Sequence, residues 1–297
     1  MERMTHPIPA KKSLGQHFLR CAWAADTLIA AARITKKDTV LEIGPGTGVL
    51  TRPLAAASGC VISVEKDERL ATELSASLQK EYIVNVTVMP ADILSVFQTK
   101  SGMNYDSRLS LENYKVVSNI PYYLTGRLIR LLLESPKKPN IIALTIQKEV
   151  AERIVARPPH MNPALAEGNI SSTKNRQRGK GGMNLLALAV QAYGTPRIIK
   201  IVPANCFSPK PKIDSVIITI SDISNDFFVK NTIGQNEFFA IARAAFGQKR
   251  KMLINTLPGN SDKTKIAKKL ANLGIAATAR PEELSLQNWV DIVRLLS

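Results

Sequence analysis

The chain has 297 residues, 45% of them apolar, enough to bury the cores of one large domain and a smaller one. No run of eighteen apolar residues is present to span a bilayer, and the start, "MERMTHPIPAKKSLGQHFL", lacks the apolar core of a secretory signal, so no membrane association and a cytoplasmic location are expected. With 40 Lys and Arg against 24 Asp and Glu the net charge is +16, which attracts a polyanion through counterion release and points to nucleic acid; a merely soluble basic surface is the alternative that charge alone leaves open.

Cys21, Cys60 and Cys206 lie far apart, without C-x-x-C spacing, and only His6, His17 and His160 could join them. Neither a disulfide framework nor a metal site is expected. From Thr39 to about Ile220 short apolar runs, "TVLEI", "CVISVE", "VNVTVM", "KVVSN", "NIIALTI", "RIIKIV" and "SVIITI", alternate with helical patterns such as Glu68 to Lys80 and Thr125 to Glu134. That rhythm predicts an α/β fold, a mostly parallel Rossmann-like sheet covered by helices. The last two runs follow each other without a clear helix, so the final strand is expected to run antiparallel at one end of the sheet. After Asn225 only helical patterns remain: "NEFFAIARAAFGQ", "KTKIAKKLANLG" and "SLQNWVDIVRLLS". The expected division is a cofactor-binding domain over 1–224 and a small all-helical domain over 225–297. Residues 158–184, rich in Pro, Gly, Ser and Asn with Lys174, Arg176, Arg178 and Lys180, read as a flexible basic surface insertion.

The first strand runs into Glu42-Ile43-Gly44-Pro45-Gly46-Thr47-Gly48 and then into a helical segment. Glycines at a strand-to-helix turn let a ligand approach the backbone at the carboxyl edge of the sheet. The dinucleotide fingerprint needs a glycine at position 49, where Val49 stands, and the observed G-x-G-x-G spacing favours S-adenosylmethionine. Charge agrees: a pyrophosphate is repelled by a neighbouring carboxylate, whereas an ammonium and a sulfonium are favoured by Glu42. Glu65 closes the second strand, where a carboxylate can accept both ribose hydroxyls, and Asp92 closes the third, where it can take the adenine amino group. Each acid alone is also explained as a solvated strand-end carboxylate; three at successive strand ends describe a pocket.

At the end of the fourth strand stands Asn119-Ile120-Pro121-Tyr122. The lone pair of an exocyclic adenine amine is delocalised into the ring. If the Asn119 side-chain oxygen and a backbone carbonyl beside Pro121 accept its two protons, the nitrogen can pyramidalise toward a methyl donor. Tyr122 is expected to stack on the base, which is worth about 1–3 kcal/mol. The competing account is an Asn-Pro turn with buried aromatics.

The segments "KKSLGQHFL", "LEIGPGTGVLT", "VEKD", "ADIL", "NIPY", "IQKEVAERIVARP", "CFSPKPKIDSVI" and "FGQKRKML" together resemble the ribosomal RNA adenine N6,N6-dimethyltransferases, most closely the KsgA-like small-subunit branch. The resemblance implies transfer of methyl groups from S-adenosylmethionine to N6 of two adjacent adenines near the 3′ end of small-subunit rRNA in a pre-ribosomal 30S particle, by a monomer. It implies cofactor contacts from His17, Leu19, Gly44, Glu65, Asp92 and Asn119, with Gly46 and Gly48 completing the loop. It implies a base held by Asn119, Pro121 and Tyr122 with Phe207 on its other face. Tyr123 and Gly126 depart from the family's usual pattern after "PY". Lys11, Lys12, Lys210, Arg243, Lys249, Arg250 and Lys251 are expected to grip phosphates, each taken singly being equally well a solvated charge. Two rival readings are a large-subunit rRNA adenine methylase of the macrolide-resistance type and a noncatalytic ribosome-assembly factor.

Overall fold

A computed structural model describes residues 10–11, 15–97, 111–159, 182–248, 251–257 and 263–296. Two compact units divide the chain: Met1–Ala151 with Thr195–Ile223, and Glu152–Gly194 with Ser224–Ser297.

The first unit is built on a sheet of seven strands. In chain order its strands are β2 (Thr39–Ile43), β3 (Cys60–Glu65), β4 (Val86–Pro90), β5 (Tyr114–Asn119), β6 (Ile141–Gln147), β7 (Thr195–Val202) and β9 (Ser215–Ser221). They lie side by side as β4-β3-β2-β5-β6-β9-β7, and the pairs from β4 to β6 are all parallel. Strands covered on both faces carry unbroken apolar runs, which is why β2, β3 and β6 are buried almost throughout. The last strand, β9, is antiparallel, and it is inserted between β6 and β7, leaving β7 at the edge with Ile198, Ile199 and Ile201 partly exposed. Helices α1 (Ala22–Ala31), α2 (Thr51–Ala57), α3 (Glu68–Lys80), α4 (Ile93–Val96) and α5 (Thr125–Glu134) link the strands. In α3 the Asp67 side chain accepts from the Arg69 amide at the N-cap, and Leu70, Ala71, Leu74 and Leu78 form the buried stripe that the 3.6-residue period requires.

Strand order reverses beside β2, whose neighbours are β3 and β5. At such a switch point the loops leaving the carboxyl ends diverge and open a crevice. Gly44, Asp92 and Asn119 stand at the ends of β2, β4 and β5, and Glu65 ends β3.

A short ribbon pairs β1 (Phe18–Leu19) antiparallel with β8 (Phe207–Ser208), Leu19 facing Phe207. The Arg20 amide donates to the Cys206 carbonyl, 2.8 Å, and the flanking Cys21 and Cys206 are joined as a disulfide, their Cα atoms 5.2 Å apart. This corrects the expectation of no disulfide. The two cysteines are 185 residues apart in sequence, and only the β1–β8 register brings them together, so spacing carries no trace of the pair. Cys60 stays free.

The second unit holds α7 (Leu185–Tyr193), α8 (Asp226–Asn231), α9 (Gln235–Phe246), α10 (Lys263–Asn272) and α11 (Leu286–Leu296), after α6 (Lys148–Ile154), which spans the change of unit. Helix α7 starts at Asn184, whose side-chain oxygen accepts from the amides of Leu186 and Ala187. The sequence pattern gives no helix there because "LLALAVQAY" is apolar nearly all round and has no polar face to set a period. Tyr193, Phe228, Phe238 and Phe239 cluster with ring centroids 5.1–5.9 Å apart, and Phe246 stacks on Trp289 at 5.4 Å. Of the basic insertion read at 158–184, residues 160–181 lie outside the described residues. No helix among the described residues is long and apolar enough to cross a membrane.

Candidate active site

The glycine loop after β2 is shaped by backbone bonds: the Gly44 amide donates to the Val64 carbonyl at 2.8 Å and the Gly48 amide to the Pro45 carbonyl at 2.9 Å. Gly46 has φ +57, and a Cβ there would stand 2.9 Å from the ring of Phe18. Both left-handed backbone and the close ring therefore demand glycine. Gly48, at φ +80, would place a Cβ against Leu74 of α3 and 2.6 Å from the Arg52 guanidinium, so it serves the packing of the loop against α3 and α2 and not the cavity wall.

Three carboxyl groups surround this loop. Glu42 is fully buried, and its Oε2 accepts from Thr51 Oγ1 at 2.8 Å and Ser63 Oγ at 2.7 Å. Burial pushes its pKa up to about 7 against those two hydroxyl bonds, with the nearby Glu65 charge adding to the rise. Glu65 accepts from the Gly46 amide at 3.1 Å and the Asp67 amide at 2.9 Å, tying the first loop to the second; burial raises its pKa despite these bonds. Asp92 caps α4 through the Leu94 amide, 2.9 Å, and pairs with Lys66 at 2.8 Å. Burial opposes its charge, but those bonds outweigh it and leave the pKa lowered.

The Glu42 environment sets a pH dependence. Its folded pKa near 7 exceeds the ordinary 4.5, so the folded state holds a proton that the unfolded chain has released between those values. Stability contributed by the neutral carboxyl is therefore lost as pH rises through that window, by about 3 kcal/mol in all. Glu42→Gln keeps an acceptor for Thr51 and Ser63 and never ionises. Urea unfolding is expected to show its stability gaining on the native chain from pH 5 to pH 8; a constant difference would refute the assignment.

Asn119 ends β5, and its side-chain Nδ2 donates to the His17 carbonyl at 3.0 Å. His17 Nδ1 donates to the Pro209 carbonyl at 2.7 Å, and its ring stacks on Tyr122 with centroids 5.3 Å apart. His17, just before β1, thus lies across the strand ends and straps them. Earlier in the chain, Lys11 places its Nζ 3.3 Å from Asp67.

A cavity of about 800 Å³, counting its open mouth, lies between strap, glycine loop and strand ends, a size common for cofactor sites. His17, Leu19, Glu42, Gly44, Gly46, Glu65, Asp92, Asn119 and Pro121 all line it. Gly48, Tyr122 and Phe207 do not: Tyr122 lies against His17 and Ser215, and Phe207, 3% exposed, packs in the core cluster with Leu19, Leu28 and Ile217. Sequence reasoning passed over Gln16, Lys66, Ile93 and Tyr123, which line the cavity as well. Gln16, Lys66 and Ile93 sit within quoted motifs and Tyr123 directly follows one, so adjacency to His17, Glu65, Asp92 or Tyr122 was the signal; which way each side chain turns was not readable. Tyr123 is 56% exposed at the rim, its ring 3.3 Å from where a Cβ on Gly15 would stand.

Of the basic residues, Lys11 pairs with Asp67 at 3.3 Å while its side chain stays 45% exposed, and Lys210, Arg243 and Lys251 are exposed. Lys12, Lys249 and Arg250 lie outside the described residues.

The family model described as ribosomal RNA adenine dimethylase matches residues 9–163 and 171–297. A curated relative from Dehalococcoides mccartyi named "Ribosomal RNA small subunit methyltransferase A" is 34% identical over 287 residues, covering 96% of this chain and 87% of the relative. Among solved structures, a dimethyladenosine transferase from Plasmodium falciparum aligns with TM-score 0.69 at 24% identity, covering 93% of this chain and 96% of that one. The 23S rRNA methyltransferase ErmE aligns with TM-score 0.64 at 21% identity, over 93% and 98%. At these identities the two structures speak for the fold alone, and the fold is common to both kinds of enzyme. The sequence match, running nearly end to end, goes further: the chain belongs to the ribosomal RNA adenine dimethylase family of methyltransferases.

Proposed function

We propose that the protein binds S-adenosylmethionine in the cavity at the carboxyl ends of β2 to β5 and methylates N6 of two adjacent adenines near the 3′ end of small-subunit rRNA. The donor set supports that ligand: Glu42, Glu65 and Asp92 offer acceptors, and Asp92, whose pKa is lowered, offers negative charge to a cationic molecule, whereas a pyrophosphate would be repelled. Glu65 is placed to take ribose hydroxyls, Asp92 the adenine end, and the amides of the glycine loop the remaining polar groups, with His17 and Leu19 closing the strap side. Bound there, the cofactor supplies a methyl group on a sulfonium, activated without a metal.

The observation that carries the reading is the orientation of Asn119. Its Nδ2 is spent on the His17 carbonyl, so the group it offers a substrate amine is the carbonyl oxygen. That oxygen, with a backbone carbonyl beside Pro121, accepts the two N6 protons and frees the nitrogen lone pair. Tyr122 supplies the stacking face. Catalysis then comes from positioning and polarisation, and the proton leaves to water after transfer. Phosphates of the RNA are held by Lys11, Lys12 and Lys210 in the first unit and by Arg243, Lys249, Arg250 and Lys251 in the helical one. The 34% identity to a relative named for the small subunit favours that target over the large subunit. The substrate is a pre-ribosomal 30S particle in the cytoplasm, and the enzyme acts as a monomer.

The test is methyl transfer by purified protein to 30S subunits from a strain lacking the modification, read by primer extension. Stops at the tandem small-subunit adenines are expected. Stops confined to large-subunit RNA, or tight binding of immature subunits without any labelled methyl transferred, would overturn the proposal.

A further inference from the structure

Ser215 opens β9 and is fully buried, its backbone fixed between Gln147 of β6 and Val202 of β7. Its Oγ lies 2.8 Å from the phenol oxygen of Tyr122, 93 residues away in the chain. Just before it, the Asp214 carboxylate accepts from the Ala204 amide at 2.9 Å, and the Asp214 carbonyl accepts from the Lys148 amide at 3.2 Å. The hydroxyl is thus a fixed point in the sheet. Tyr122 sits on a 3-10 turn, Tyr122–Leu124, whose backbone is held by the Leu124 amide on the Pro121 carbonyl and by the amide and hydroxyl of Thr125 on the Tyr122 carbonyl. These backbone bonds leave rotation of the ring about Cα–Cβ unfixed, so its orientation depends on what its far end meets. The hydrogen bond to Ser215 holds that end, while the His17 ring covers one face.

We infer that Ser215 is a positioning residue for methyl transfer: by fixing the Tyr122 phenol it sets the plane on which the target base stacks beside Asn119. This rests on the adenine-methylation reading above. Neither Ser215 nor Tyr122 lines the cavity, so cofactor affinity should not depend on the bond.

The experiment is a double-mutant cycle on the full chain, with transfer to modification-deficient 30S subunits and S-adenosylmethionine affinity measured for each variant. Ser215→Ala should lower kcat about three- to tenfold, the size of one neutral hydrogen bond, with cofactor Kd unchanged. Tyr122→Phe, which keeps the ring and removes the hydroxyl, should lose about as much, and the double variant no more than either. Independent, multiplying losses, or a cofactor Kd that weakens in step with kcat, would overturn the role. Should Ser215→Ala not fold, Tyr122→Phe decides alone: native kcat refutes the inference. An inactive native protein would sink the methylation reading and this inference together, whereas an active one without coupling sinks only the role of Ser215.

Discussion

Asn119→Ala is expected to lower kcat for methyl transfer by about 100- to 1000-fold, the usual cost of removing one preorganised partner of transition-state charge, while S-adenosylmethionine Kd rises far less. The asymmetry follows from what the side chain touches. In the proposed mechanism its oxygen meets an amine that gains positive charge only as the new bond forms, so it contributes little before the reaction. Its Nδ2, bonded to the His17 carbonyl, steadies His17 at the cavity wall, which accounts for a modest loss in cofactor affinity. Asn119→Asp separates the two tasks, since it keeps the acceptor and loses the donor to His17. It should therefore retain more turnover than Asn119→Ala at a similar cofactor Kd. Equal losses in kcat and in affinity for Asn119→Ala, measured by labelled methyl transfer and calorimetric titration, would undo the polarisation argument.

Glu65→Ala should act in the opposite sense, on binding first. The carboxylate ties Gly46 to Asp67 through two backbone amides and faces the cavity from a position 5% exposed. In the proposed binding mode its removal takes away two acceptors for ribose hydroxyls, a loss of about 3 kcal/mol and so about 100-fold in Kd. It also leaves buried amides of both loops without their acceptor, at a cost of about 2–5 kcal/mol in folding stability. Calorimetric titration and urea unfolding read the two effects separately. Native affinity for S-adenosylmethionine in a folded Glu65→Ala variant would remove Glu65 from the cofactor site.

The parallel strands were legible because strands covered on both faces must be apolar along their length, and "TVLEI" and "CVISVE" coincide with β2 and β3. Helix α3 was legible because an amphipathic stripe over thirteen residues has no competing period. Helix α7 was not, since an all-apolar run carries no period, and Cys21 with Cys206 could not be paired, since their meeting depends on β1 lying beside β8. In the site, the acids and glycines were legible by type and order, because strand ends at a switch point converge whatever the loops between them. What each residue packs against was not: Gly48 lies against Leu74 of α3 and Arg52 of α2, Tyr122 meets Ser215, and Lys66 joins Asp92 at the cavity wall.

The chain by itself thus determined the sheet, the cavity's chemical character and the family, since all three depend on local period and on short motifs at strand ends. Only the tertiary structure decided that the Asn119 amide nitrogen meets the His17 carbonyl, that a hydroxyl from β9 bonds Tyr122, and that the His17 ring lies over Tyr122 beside the cavity. Those are contacts between segments about a hundred residues apart, fixed by strand register and packing, for which no spacing in the sequence is a record.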